Sequence, residues 1–234
     1  MTDPLKRQRR IARLRERIAG PQDAYERCRA YPCPNRTTAD EGEGLNRLYC
    51  RKHIEHFRRH GSYYKASYRA GEMRPYRIRA LRWLREHEAD PKIRRALVGV
   101  RGLYASAGAP IEAFRLAGKS PAERAKVIWA HLRAREVDPA EVVAVWLAVD
   151  WRLREDLQPD RHQEYRHVQV AKLIHRMAGG THKRWERHRG GDSADITEVH
   201  RYPVSRGRVL RLVGGQLAEI CDLLPRQPDF EAPI

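Results

Sequence analysis

Apolar residues along this chain recur mainly at the three- and four-residue spacing of amphipathic helices. The pattern predicts helices over about 5–19, 47–60, 74–89, 90–107, 161–178 and 205–224. The segment 193–204 is compatible with extended chain, and paired glycines at 179–180 and 190–191 bracket a short basic stretch before it.

Two more helix starts are marked by capping residues. The segments 120–123 and 138–141 read SPAE and DPAE, so each has a capping side chain, a proline at the first helical position and a glutamate at the third. Dense apolar runs around Trp129 and Trp146 follow them, as in a buried helical hairpin. The predicted fold class is therefore mainly α, a multi-helix bundle with a small zinc-knuckle module near the N-terminus.

The pattern changes near the N-terminus. Residues 21–46 are rich in proline, glycine and asparagine, which favours turns over regular elements. We therefore predict three parts: a basic amphipathic helix over 1–20, a zinc-binding module over 21–61 and a helical domain with basic faces over 62–234.

Three of the four cysteines and one histidine have the spacing of a metal site. Cys28-x4-Cys33 and Cys50-x2-His53 form two ligand pairs, one in a turn and one on a predicted helix. Zinc prefers four nitrogen or sulfur ligands in a tetrahedron, and four protein ligands leave no open position for water. The spacing predicts one structural zinc ion. His56 is the alternative fourth ligand, and three unrelated buried thiols are the alternative to a metal site.

The stretch CRAYPCPN, with LYCRKHIEHFRRHG after it, resembles the short C-x4-C…C-x2-H zinc knuckles of phage and mobile-element proteins, which include DNA-binding proteins and HNH-type endonucleases. The resemblance covers residues 28–61 and rests on the four ligands, the basic helix after them and the dipeptide His60-Gly61. It implies a treble-clef or HNH-associated zinc module and an origin in a phage or other mobile element. The long acidic insert between the ligand pairs departs from the pattern.

Charge makes nucleic acid the first partner to consider. The formal net charge is +17, and the excess lies in 47–101, with 16 basic and 5 acidic residues, and 161–211, with 12 and 5. The simpler alternative is that these are the solvated faces of arginine-rich helices. The longest apolar run, 142–149, is too short to cross a bilayer, so we expect a cytoplasmic protein with no membrane partner.

Tyrosines alternate with basic residues directly after the metal ligands. Such a mixture combines phosphate-neutralising cations with rings that can stack on bases. The predicted nucleic-acid contacts are Arg51, Lys52, Arg58, Arg59, Tyr63, Tyr64, Lys65, Tyr68, Arg69, Arg74, Arg77, Arg79, Lys183, Arg184, Arg187, Arg189, Arg206 and Arg208. The alternative for Tyr64, Tyr68 and Tyr76 is that they pack the helix after the knuckle against the body of the protein.

We therefore expect a zinc-stabilised nucleic-acid-binding protein, with DNA favoured over RNA, that acts by binding rather than catalysis, so no catalytic residue is predicted. One alternative is an HNH-type endonuclease, for which His182, Glu186 and His188, with Asp192 and Asp195 nearby, are the best cluster. The other is a helical adaptor for an acidic protein, with the N-terminal helix docking a partner or a second copy of the chain.

Overall fold

The computed structural model describes residues 27–42, 44–179 and 207–224 in full, the backbone of 181–188 and 194–201, and four isolated residues of the N-terminal segment. Those four, Gln8, Ile11, Ala12 and Arg15, are helical. The rest of the predicted helix over 5–19 lies outside the described residues.

The described part of the chain is mainly helical, which confirms the predicted fold class. Its elements are α1 (Arg51–His60), α2 (Ala70–Glu86), α3 (Pro91–Ser106), a short 3-10 helix (Ala113–Leu116), α4 (Pro121–Ala134), α5 (Pro139–Glu155), α6 (Gln163–Ala178), β1 (Thr181–His188), β2 (Ala194–Arg201) and α7 (Arg208–Cys221). None of these helices combines the length and the apolar run that a bilayer crossing requires.

The chain divides into two units, 1–58 and 59–234. The division falls inside α1, a few residues before the boundary at 61 that the sequence suggested. In the first unit, Cys28, Ala30 and Cys50 are buried together, with Cys33 and Tyr49 packed against them. The second unit has a large core built from α2 to α7.

Helix α5 is the centre of the helical unit, because every residue from Val142 to Trp151 is buried. Helices α2, α3 and α6 pack against α5, and α7 packs against α4 and α6. A helix that is apolar on all sides is stable in water only when neighbours cover it completely. The run of valines and tryptophans in α5 therefore determines where the other helices pack.

The predicted helix starts are confirmed. Ser120 Oγ accepts from the amide of Glu123 at 3.2 Å, and the Glu123 carboxylate accepts from the amide of Ser120 at 2.8 Å, so α4 begins with a capping box. At the start of α5, Asp138 Oδ1 accepts from the amide of Ala140 at 2.8 Å. These bonds satisfy amides that have no partner inside the helix.

Two elements differ from the sequence prediction. Helix α2 begins at Ala70 rather than near residue 74 and contains Pro75, because the Glu72 carboxylate accepts from the amide of Arg69 at 2.8 Å and caps an earlier turn. The backbone of 181–188 pairs antiparallel with 194–201, with Trp185 opposite Thr197. Strand β1, THKRWERH, lacks the alternating apolar residues that signal a strand, so only its partner was anticipated.

Candidate metal centre

The first ligand pair lies on a tight turn. The amide of Cys28 donates to the carbonyl of Asn35 at 2.9 Å, and the amide of Cys33 donates to the carbonyl of Ala30 at 2.7 Å. Arg27 and Arg36 form a β-bridge at the base of this turn. The chain therefore returns on itself and brings both thiols to one end of the loop.

The second pair lies at the start of α1. The carbonyl of Cys50 accepts from the amides of His53 at 3.1 Å and Ile54 at 3.0 Å, so Cys50 directly precedes the helix and His53 stands in its first turn. Residues three apart at this position share one side of the helix. The sequence had predicted this placement.

Hydrogen bonds connect the beginning and the end of the insert between the two ligand pairs. Thr38 Oγ1 lies 3.3 Å from the Asn46 carbonyl and accepts from the Asn46 amide at 3.2 Å, and Asn46 Oδ1 accepts from the amides of Leu48 and Tyr49 at 2.9 Å. The amide of Arg29 also donates to the carbonyl of Leu48 at 2.9 Å. These bonds bring the end of the insert back to the turn that carries Cys28.

The four predicted ligand atoms converge. The sulfur and nitrogen atoms of Cys28, Cys33, Cys50 and His53 all lie within 4.8 Å of one another. His53 Nδ1 is 3.3 Å from Cys28 Sγ and 3.2 Å from Cys50 Sγ, and Cys33 Sγ is 3.9 Å from Cys50 Sγ. The cysteines are free thiols rather than disulfide partners. The group is close enough to hold one metal ion.

The surroundings affect how readily these side chains ionise. Burial lowers the pKa of His53, with a further effect from His56 and Lys52, which favours the neutral imidazole that binds metals. Burial raises the pKa of Cys28. At Cys50 burial acts in the same direction, but hydrogen bonds from the His53 amide and from neighbouring side chains outweigh it and lower the pKa. Of Cys28 and Cys50, Cys50 therefore forms its thiolate more readily.

Asn35 is a supporting residue that the ligand spacing did not indicate. Its side-chain amide lies 3.9 Å from Cys50 Sγ, where it can donate to a thiolate. Outside the cluster, His56 is not one of the four converging residues, and Cys221 is buried in α7.

The predicted nucleic-acid contacts fall into three groups. The first is exposed to solvent and comprises Arg51, Lys52, Arg58, Arg59, Tyr64, Arg69, Arg74 and Arg208. Four of these cations lie on α1, which carries only one acid, Glu55. Glu55 lies 3.6 Å from Arg51 in an ion pair. The exposed part of the set is therefore concentrated on α1 and at the start of α2.

The second group packs within the helical unit. Tyr68 is buried, donates its hydroxyl to Asp156 at 2.6 Å and packs edge-on against Tyr165. Lys65 pairs with the same Asp156 carboxylate at 2.5 Å. The Tyr68 ring is therefore buried in the helical unit, where it cannot stack on bases, whereas Lys65 remains partly exposed beside its carboxylate partner.

Two arginines of α2 also pair with carboxylates of the helical unit and remain partly exposed. Arg77 pairs with Glu141 at 3.0 Å, and Arg79 pairs with Glu155 at 3.3 Å and lies over the ring of Trp151. Tyr63 is half-buried, and Tyr76 donates to Glu155. The alternative in which tyrosines pack the chain after the knuckle against the protein body is thus what the structure has for Tyr68 and Tyr76.

The side chains of the third group lie outside the described part of the structure. Lys183, Arg184 and Arg187 lie on β1, where only the backbone is described, and Arg189 and Arg206 lie outside the described residues. Of the nuclease candidates, His182, Glu186 and His188 are on β1, Asp195 is on β2 opposite Arg187, and Asp192 is outside the described residues. No second metal-binding group occurs among the side chains that the structure describes.

A polar groove of about 730 Å³ lies in the first unit, between the insert and α1. Its lining residues are Thr38, Gly44, Leu45, Asn46, Arg51, Ile54, Glu55 and Arg58. The groove is large enough for a ligand of a few hundred cubic ångströms. Two of the predicted phosphate contacts, Arg51 and Arg58, are on its wall.

The dipeptide His60-Gly61 ends α1. Gly61 has φ +75°, and a Cβ there would lie 2.8 Å from the carbonyl oxygen of Glu164, so glycine is required by both conformation and space. Gln169 donates to the carbonyl of His60 at 3.0 Å, and Lys172 donates to Ser67 Oγ at 2.6 Å. Helix α6 thus holds the residues that follow α1, a role the sequence did not reveal because the partners are more than 100 positions apart.

No family model, curated protein or solved structure matches this chain. For residues 28–61 the structure shows four side chains close enough to hold a metal ion and a basic helix that follows them.

Proposed function

We propose that this chain is a zinc-stabilised nucleic-acid-binding protein, with DNA favoured over RNA, that acts by binding rather than by catalysis. The observation that carries the proposal is that the last two members of the Cys3His group begin α1, whose exposed residues are predominantly cationic. A metal ion at that point would fix the start of the helix and hold its cations in place. On its resemblance to mobile-element knuckles, we further propose that the protein belongs to a phage or other mobile element.

Zinc is the metal that this donor set fits best. Zinc–sulfur bonds of about 2.3 Å and zinc–nitrogen bonds of about 2.0–2.1 Å in a tetrahedron give S···S distances of roughly 3.8 Å and S···N distances of roughly 3.6 Å. The distances here are 3.9 Å between Cys33 and Cys50 and 3.2 to 3.3 Å from His53 to its two cysteine neighbours. Three soft thiolates disfavour magnesium and calcium. With all four positions filled by protein, the ion would have a structural role.

The charge around α1 supports a polyanionic ligand. Helix α1 has four Lys or Arg residues and one Glu, and Arg51 and Arg58 line the groove beside it. Phosphate contacts give most of the affinity of a protein for nucleic acid, and they position the protein without reading sequence. The groove offers room for a backbone segment next to these cations.

Binding to duplex DNA should therefore depend steeply on salt. If the six exposed cations Arg51, Lys52, Arg58, Arg59, Arg69 and Arg74 each neutralise a phosphate, these contacts alone should give a slope of log K against log salt of about −5. We would measure this slope by fluorescence anisotropy on duplex DNA, single-stranded DNA and RNA, with metal content determined on the same preparation.

A matched pair of variants shows where the DNA lies. Lys52→Gln on α1 should make the slope shallower by about 0.9, whereas Lys126→Gln, which removes an exposed cation on α4, should leave it unchanged. A wild-type slope shallower than about −2, or binding to an acidic protein that persists after nuclease treatment without DNA binding, would refute the proposal.

A further inference from the structure

Helix α3 presents a strongly basic surface in the helical unit. It carries Lys92, Arg94, Arg95 and Arg101, all exposed, and has no acidic residue along its length. Its other face holds Ile93, Ala96, Val100 and Tyr104 in the core. None of these four cations was among the contacts expected from the sequence.

The exposed face of α3 has a definite arrangement. At 100° per residue, Arg94 and Arg101 lie along one edge of the face and Arg95 lies along the other. Between these edges stand Val98, Gly102 and Ala105, all exposed. The face is thus a strip of small apolar residues with cations on both sides.

Two residues of this strip are not explained by the fold. Val98 is 61% exposed in the middle of a helix, where a β-branched residue lowers helix stability without gaining burial. A Cβ at Gly102 would meet nothing within 4 Å, whereas one at Gly99 would lie 2.8 Å from the side chain of Ile220. A side chain at position 99 would thus displace Ile220, whereas nothing in the fold opposes one at position 102, although glycine inside a helix costs about 1 kcal/mol relative to alanine. A surface that a partner approaches closely accounts for both residues.

The cations of this face are not engaged by acids of the protein. Within the described residues, Arg95 and Arg101 make no ion pair, and Arg94 makes one long bond, 3.4 Å from its Nε to the carbonyl of Glu88. The arginines that pack elsewhere in the helical unit differ, since Arg77 and Arg166 each have a carboxylate partner at 3.0 Å. The charge of α3 is therefore available to an outside anion.

We propose that the solvent face of α3 is a duplex-DNA contact surface, with Arg94, Arg95 and Arg101 against phosphates and the strip of Val98, Gly102 and Ala105 close to the DNA. This inference rests on the proposed function and names an element that carries it. The area is basic along both edges and flat in the middle, which complements a phosphate-lined groove. Small apolar side chains on such a helix can contact thymine methyl groups.

The test compares two double variants of the full chain that each remove two exposed cations. Arg95→Gln with Arg101→Gln should make the salt slope on duplex DNA shallower by about 2 and weaken binding more than tenfold near 0.15 M salt. Arg115→Gln with Lys126→Gln, which lie on the 3-10 helix and α4, should change the slope by less than 0.5. Circular dichroism and thermal melting check that each variant is folded.

A third variant tests close approach rather than charge. Gly102→Gln leaves the net charge unchanged and, since nothing lies near that position, should melt at or above the wild-type temperature while losing at least fivefold in DNA affinity. Unchanged affinity of this variant, or equal losses for the two double variants, would overturn the assignment of α3. Failure of the wild-type protein to bind any duplex would instead overturn the proposed function, so the two failures are distinguishable. Preference of the wild type for single strands would overturn the duplex assignment.

Discussion

Lys172 shows how the fold alters the chemistry of one side chain. Its ammonium group donates to Ser67 Oγ at 2.6 Å and lies 3.3 Å from His60 Nδ1, which also accepts from the amide of Ser67 at 3.0 Å. Because Nδ1 accepts an amide proton, the ring must present a lone pair there. Burial, with a smaller effect from Arg176, lowers the pKa of Lys172 to about 8.

This lowered pKa makes the stability of the helical unit depend on pH. The folded state binds the Lys172 proton more weakly than the unfolded state, whose lysine titrates near 10.4. Burial of the charged ammonium therefore lowers the free energy of unfolding by its full amount below pH 8, and this loss decreases as the pH rises above 8. From pH 7 to 9 the free energy of unfolding should gain on the order of 1 kcal/mol at most, because the side chain is only partly buried.

Urea unfolding of wild type and Lys172→Met at several pH values between 7 and 9 checks this expectation. All other titrations are common to both proteins, so the difference between the two curves isolates Lys172. The free energy of unfolding of the wild type should rise relative to that of Lys172→Met as the pH rises. The same pH dependence for both proteins would contradict the assigned pKa shift.

Between elements, the crossing of α6 and α7 depends on one glycine. A Cβ at Gly214 would lie 2.4 Å from the carbonyl oxygen of His167 and 2.6 Å from its Cβ, so the two helix backbones approach too closely for any side chain. A Cβ at the adjacent Gly215 would meet nothing within 4 Å. Close packing of the two helices therefore requires glycine at position 214 but not at position 215.

Alanine substitution at these two positions should have opposite effects. Gly214→Ala forces the helices apart and should lower the free energy of unfolding by about 1–3 kcal/mol, as overpacking does. Gly215→Ala should raise it by up to about 1 kcal/mol through helix propensity alone. Chemical denaturation of both variants gives the comparison, and equal effects would show that the close crossing is absent in solution.

For the whole molecule, the two units differ in what stabilises them. Among the described residues of the first unit, the buried apolar cluster comprises Cys28, Ala30 and Cys50, with two partly buried neighbours, and three of these five residues belong to the Cys3His group that could hold a metal ion. In the helical unit dozens of residues form one core around α5. We therefore expect the first unit to depend on a bound metal ion, which in zinc modules contributes on the order of 10 kcal/mol to folding.

Removal of the metal with a chelator should therefore unfold one unit and spare the other. Amides of 27–58 should lose their protection against hydrogen exchange, while the amides of α4 and α5 keep theirs, and DNA binding should weaken. Cys50→Ala should reproduce this pattern without chelator, whereas Cys221→Ala, at a buried cysteine outside the cluster, should retain one metal ion per chain. Unchanged exchange in 27–58 after complete metal loss would refute a structural role for the metal.

The metal ligands and the capped helix starts could be predicted because each depends on residues close in sequence. Cys28 and Cys33 share one turn, Cys50 and His53 share one helical turn, and Ser120 caps a helix through Glu123. Lys65, Tyr68, Arg77 and Arg79 were predicted to contact nucleic acid, and the structure places each of them beside a carboxylate of the protein. The sequence does not distinguish a cation or tyrosine that faces solvent from one that faces a carboxylate about 60 to 90 positions away.

By itself, the sequence determined the helical class, the helix starts and the four converging ligands, since periodicity, capping and short ligand spacings are local properties of the chain. Only the tertiary structure decided which cations remain exposed, as on α1 and α3, and which pair with acids of distant segments, as Lys65 does with Asp156. The physical reason is that the free energy of a charge depends on the dielectric and the partners around it, and both are supplied by distant segments.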